Sequence, residues 1–68
     1  EPNDQATAGL AIHYVRQAVE RWEPRAEILD LDAGQDPENP ERLRIVLRYQ
    51  LRTSQQEGQV TYSFNLAG

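Results

Sequence analysis

LRIVLRYQLR, residues 43–52, separates apolar from polar side chains with a period of two. Successive residues of an extended chain point to opposite faces, so Leu43, Ile45, Leu47, Tyr49 and Leu51 share one face while Arg44, Val46, Arg48, Gln50 and Arg52 share the other. The polar stretch 53–58 then turns the chain into a second alternation. Here Val60, Tyr62, Phe64 and Leu66 lie on the apolar side, and Thr61, Ser63 and Asn65 on the polar one. The clean pattern ends upstream of these two strands. Residues 26–32 read as a strand, but Ile28, Leu29 and Leu31 occupy both faces and leave its register open. Between them, residues 33–41 carry Gly34, Pro37, Asn39 and Pro40 among acidic residues, which reads as a loop.

The N-terminal part has a different period. Ala8, Ala11, Ile12, Val15, Ala18, Val19 and Trp22 step by three and four, the spacing of one buried helical stripe, with Asn3 and Asp4 as candidate caps. Pro24 stops this helix at Glu23, because proline disfavours helical geometry in the residue before it and cannot donate the next backbone bond. The reading is therefore α+β: one N-terminal amphipathic helix, about 5–22, packed on a three-stranded antiparallel sheet of about 26–32, 42–52 and 59–66. A helix across the apolar face of a meander needs no crossover connection. On this reading Ile45 and Phe64 are both core residues whose truncation would unfold the chain.

Length and composition narrow the function. Sixty-eight residues form one small domain with no room for two lobes around a cleft. Burial of apolar surface at ~25 cal/mol/Å² contributes roughly 100 kcal/mol, and ordering the chain at ~1.5 kcal/mol per residue costs about the same. A chain so close to balance is expected to gain stability from a disulfide, a metal or another surface. There is no cysteine, and one histidine cannot anchor a zinc site, so no cofactor is expected and a partner, a second copy or a further part of the same chain is left. The start at Glu1, without a methionine, reads as a processed or excised segment. A net charge of −4 with no basic run argues against nucleic acid. No apolar run approaches the ~20 residues of a membrane span, and no signal peptide is visible.

Catalytic constellations are weak. Asp30 and Asp32 would lie on one face of one strand, where two neighbouring carboxylates point the same way instead of facing each other across a sugar. His13, with Ser54 or Ser63, has no context of a nucleophile elbow or triad. Two features point instead to binding. Arg44, Arg48 and Arg52 form a basic stripe on the outward face of the second strand, either a docking surface for an acidic partner or a ladder neutralised by Glu27, Asp30 or Asp32. Trp22-Glu23-Pro24-Arg25 ends the helix with an aromatic and a rigid turn that carries one acid and one base.

At this motif the chain resembles the baseplate wedge family of contractile injection machines, which spans phage tails, type VI secretion and related particles. The resemblance runs through Glu1-Pro2-Asn3-Asp4, the helix from Leu10 to Arg16, Trp22-Glu23-Pro24-Arg25, Glu27-Ile28-Leu29-Asp30, and the two strands at 43–51 and 60–66. Glu-Pro-Arg at a helix-to-strand turn is the signature of that family. The resemblance covers its C-terminal half, so it implies that residues 1–68 are part of a domain about twice as long. It implies a structural subunit of the bacterial cytoplasm, assembled into a baseplate or virion tail. Glu23, Pro24 and Arg25, with Trp22 beside them, would grip the core bundle of the larger wedge subunits. The remaining fold would template the first sheath ring by strand addition, at the edge formed by 26–32 or, favoured by its terminal position, that formed by 60–66. Members often carry the label tail lysozyme, which makes a peptidoglycan hydrolase the competing expectation. A regulatory anti-adaptor-like binder of the same fold is a third.

Overall fold

The computed structural model describes residues 5–66. Its order is α1 (Gln5–Trp22), β1 (Ala26–Asp36), β2 (Asn39–Leu51) and β3 (Glu57–Asn65). The strands form one antiparallel sheet in the order β1-β2-β3, so β2 is central and β1 and β3 are its two edges. This is the expected α+β architecture. The candidate caps Asn3 and Asp4 lie outside the described residues.

The open register of the first strand is resolved by a bulge. Ile28 pairs with Tyr49 and Asp30 with Arg48, so two steps on β1 answer one on β2 and Leu29 is the extra residue. An inserted residue inverts the alternation beyond it. Ala26 and Ile28 before the bulge, and Leu31 and Ala33 after it, therefore face the same side, opposite Leu51, Tyr49, Leu47 and Ile45. The apolar residues that seemed to occupy both faces occupy one, with Leu29 displaced and exposed.

The expected loop at 33–41 is a correction. β1 continues to Asp36 and β2 begins at Asn39, leaving only Pro37 and Glu38 at the tip. Two side chains organise this hairpin: Asp36 Oδ1 accepts from the Glu38 N–H at 2.9 Å, and Asn39 Oδ1 from the Glu41 N–H at 3.0 Å. Pro40 falls between the Asp36–Asn39 and Gln35–Leu43 pairs, where the register slips and no ladder position requires its missing N–H. At the other end β3 starts at Glu57 and stops at Asn65, so Leu66 is outside the strand. The Leu66 N–H still donates to the Glu41 carbonyl at 2.9 Å.

The core is thin and off-centre. Among the described residues, Leu43, Ile45 and Leu47 are the buried apolar ones, all on β2. Helix α1 lies over β1 and reaches only part of β2. Its half-buried stripe is Ala8, Ala11, Ile12, Val15 and Val19. Ala18 and Trp22, expected in that stripe, are exposed, as are Leu10 and Tyr14. The helix therefore leaves the apolar side of β3 open: Tyr62 and Phe64 are 49% and 50% exposed and stack on each other with centroids 6.4 Å apart. Phe64 is thus a half-exposed rim residue rather than the core residue its periodicity suggested. In keeping with this, the chain exposes 5114 Å², against the ~4,400 Å² expected of a folded chain of this mass.

Candidate functional site

The helix-to-strand turn is built by backbone bonds from three directions. The Glu23 N–H still closes the helix on the Val19 carbonyl at 2.8 Å, and the Ala26 N–H returns to the Glu23 carbonyl at 3.0 Å. Glu23-Pro24-Arg25-Ala26 is therefore a four-residue turn with proline in its second position, where the fixed φ of proline suits the turn. The other two carbonyls are held from a distance in sequence. Arg52 donates its backbone N–H to the Arg25 carbonyl at 2.8 Å and its Nε to the Pro24 carbonyl at 3.3 Å. Its Nη1 reaches Glu27 Oε1 at 3.5 Å. All three carbonyls of Glu-Pro-Arg are thus satisfied within the domain.

The side chains of the same turn point elsewhere. Glu23, Pro24 and Arg25 are exposed, and neither Glu23 nor Arg25 makes an ion pair among the described residues. Trp22 is 72% exposed, with the Arg21 guanidinium 5.4 Å from its ring centre. The turn therefore offers one carboxylate, one guanidinium and one large aromatic surface from a backbone that is already hydrogen-bonded. Such an arrangement can make charge-assisted bonds to a partner with little backbone ordering left to do.

Beside the turn, a groove of about 350 Å³ opens between the end of α1 and the sheet. Val19, Glu23, Leu47, Tyr49, Val60 and Tyr62 are among the residues that line it. It belongs to the apolar face that α1 leaves uncovered.

The arginine stripe divides into three different environments. Arg52 fastens the turn, Arg48 approaches Glu57 Oε1 at 4.0 Å, and Arg44 makes no ion pair among the described residues. Asp30 stands opposite Arg48 in the ladder, and Asp30 and Asp32 are both exposed on the outer face. His13 is exposed on α1, edge-on to Tyr14. No three His, Cys, Asp or Glu side chains gather into a metal site among the described residues, and no described helix is long and apolar enough to cross a membrane.

Sequence reasoning singled out the turn but missed the residue that locks it. Arg52 lies 28 positions beyond Pro24, and only the hairpin register brings the end of β2 to the start of β1. The groove was equally hidden, because periodicity says which face is apolar and not how much of it one helix covers.

No curated protein matches the sequence. A solved structure from Geobacter sulfurreducens, labelled a tail lysozyme, superposes with a TM-score of 0.81 at 32% identity. The match covers 93% of this chain and 57% of the other, so the chain spans little more than half the length of that relative. A sequence model described as baseplate wedge protein gp25 matches residues 1–56, most of the chain and all of the turn. With that match and the shared fold, the chain belongs to the baseplate wedge protein gp25 family.

Proposed function

We propose that the domain is a structural wedge element of a contractile injection machine, a phage tail, a type VI secretion baseplate or a related particle. Glu23, Pro24 and Arg25, flanked by Trp22, are its contact with the core bundle of the larger wedge subunits. Its sheet templates the sheath by accepting a strand. The single observation that carries this reading is the division of labour in the turn. Its carbonyls are bonded internally, while the Glu23 and Arg25 side chains are exposed and make no ion pair among the described residues. A turn that served only to stop a helix would have no need of a carboxylate and a guanidinium held outward together.

Co-purification of the intact protein with the larger wedge subunits tests it. The double variant Glu23→Ala, Arg25→Ala is expected to stay within about 1 kcal/mol of the parent stability, since both side chains are exposed, while losing wedge assembly. A variant that assembles normally, or one that simply unfolds, would refute the role of the turn.

The label on the Geobacter sulfurreducens relative favours a second reading, a lysozyme-like hydrolase. A glycosidase pair flanks the bond it cleaves. Asp30 and Asp32 instead lie side by side on an open face, and Glu20 is exposed on α1. Clearing of a peptidoglycan suspension by the purified protein, abolished by Asp30→Asn or Glu20→Gln, would replace the structural reading with the enzymatic one.

A further inference from the structure

The end of the sheet that carries the Glu-Pro-Arg turn carries a second turn. Ala26 pairs with Leu51, so the loop 52–56 that joins β2 to β3 adjoins residues 23–25. The two are bonded directly, the Arg52 N–H to the Arg25 carbonyl at 2.8 Å. Within this loop Gln55 has a φ of 59°, the one positive value at a non-glycine position among the described residues. A side chain in that left-handed region crowds the backbone, and glycine, which adopts it freely, is the ordinary choice where a hairpin loop requires it.

The conformation is held from several sides. The Gln55 N–H donates to the Leu51 carbonyl at 2.7 Å, the Leu51 N–H to the Gln56 carbonyl at 2.8 Å, and Gln50 Nε2 to the Gln55 carbonyl at 3.1 Å. Ser54 Oγ accepts from the Gln56 N–H at 3.3 Å. None of these bonds uses the Gln55 side chain, which is exposed and makes no hydrogen bond among the described residues. Glycine at this position would close the same loop with less strain. The loop therefore keeps a strained residue whose side chain contributes nothing to the turn itself, a pattern associated with functional positions.

Charge distinguishes the two turns. One presents Glu23 and Arg25, whereas the other presents Thr53, Gln55 and Gln56, all exposed and uncharged. The primary amide of glutamine offers two donors and one acceptor. It matches a peptide group or another amide better than a charged side chain.

We infer that Gln55 is a second contact with the core bundle of the larger wedge subunits. Its amide, presented by the left-handed backbone, bonds an uncharged amide or peptide group of that bundle. The inference rests on the core-bundle contact proposed above for the Glu-Pro-Arg turn. It adds the neighbouring loop to that contact and specifies the chemistry the loop selects.

Two variants of the intact protein test it, each compared with the parent in melting temperature and in affinity for the larger wedge subunits. Gln55→Gly removes the strain and the amide together. It is expected to melt about 4 °C higher and to bind about tenfold more weakly. Gln55→Glu keeps the length and the backbone restraint but replaces the amide donors by a carboxylate. It is expected to bind about tenfold more weakly at an unchanged melting temperature. The sign of the thermal shift separates a partner from the rest of the same polypeptide. A contact within the polypeptide would make Gln55→Gly melt at or below the parent temperature, and that result would overturn the inference. Parent-like binding by either variant, with Glu23→Ala, Arg25→Ala still losing assembly, would overturn it too and leave the contact of the Glu-Pro-Arg turn intact. Parent-like binding by that double variant would refute the core-bundle reading itself, and with it the role of Gln55.

Discussion

Arg52 donates from its Nε to the carbonyl of Pro24 at 3.3 Å, joining the end of β2 to the turn that ends α1. The bond is made by an exposed side chain, but it holds a carbonyl that accepts from no backbone N–H among the described residues. The same guanidinium extends to Glu27 at 3.5 Å, with more than half of both side chains exposed. An ion pair in that setting contributes little, whereas a hydrogen bond from a charged donor contributes more. Arg52→Ala is expected to cost about 1 kcal/mol, a fall of ~4–8 °C in melting temperature for a domain of this size. Glu27→Gln is expected to cost less than about 0.5 kcal/mol. Equal losses in the two variants would mean that the ion pair, not the bond to Pro24, carries the effect.

Ile45 and Phe64 look alike in the sequence, each an apolar residue on the same face of an alternating strand. Their environments differ: Ile45 is 3% exposed and Phe64 is 50% exposed. Ile45→Ala is expected to cost ~2–5 kcal/mol, enough to unfold a domain with so small a core. Phe64→Ala removes a ring that is only half buried and is expected to leave a folded chain, about 1 kcal/mol or less below the parent. Urea denaturation of the two variants compares them directly. Comparable losses would show that the face of β3 is covered in solution.

This difference marks the limit of what periodicity can convey. Alternation in 43–51 placed Leu43, Ile45 and Leu47 on one face, and the structure buries these three. The stop at Pro24 was equally legible, because the constraint is local to the backbone. Three other features depend on relationships between elements. The bulge at Leu29 is set by how β1 pairs with β2, so 26–32 looked two-faced until the partner strand was known. Pro37 and Pro40 suggested a loop, yet the register slip lets the strands run on almost to the hairpin tip. The exposure of Trp22 and Phe64 follows from where α1 lies on the sheet, which no residue in either segment encodes alone. The same holds for the turn, whose Glu-Pro-Arg could be read directly while its attachment to Arg52 could not.

Gly9 is exposed in the second turn of α1, and a methyl group built there meets nothing within 4 Å. Glycine in a helix interior is less favourable than alanine by about 1 kcal/mol, because more backbone freedom is lost on folding. Gly9→Ala is therefore expected to stabilise the domain by roughly 0.5–1 kcal/mol, visible as a raised melting temperature. A destabilised variant would indicate that another surface approaches α1 closely at this position.

Gly58 and Tyr49 are opposed across β2 and β3, and the tyrosine ring lies where a side chain on Gly58 would project. Glycine ordinarily weakens a strand, so alanine would be preferred here if the space were free. With Tyr49 in place, a methyl group would overlap the end of the ring and push it toward the open groove, losing its contact with the strand. Gly58→Ala is expected to destabilise by about 1 kcal/mol or more in the parent. In a Tyr49→Leu background the obstruction is gone, and the same substitution is expected to be neutral or stabilising. A double-mutant cycle read by denaturant unfolding should therefore give a coupling above about 0.5 kcal/mol. Simple additivity of the two changes would mean that the ring is not what reserves this position for glycine.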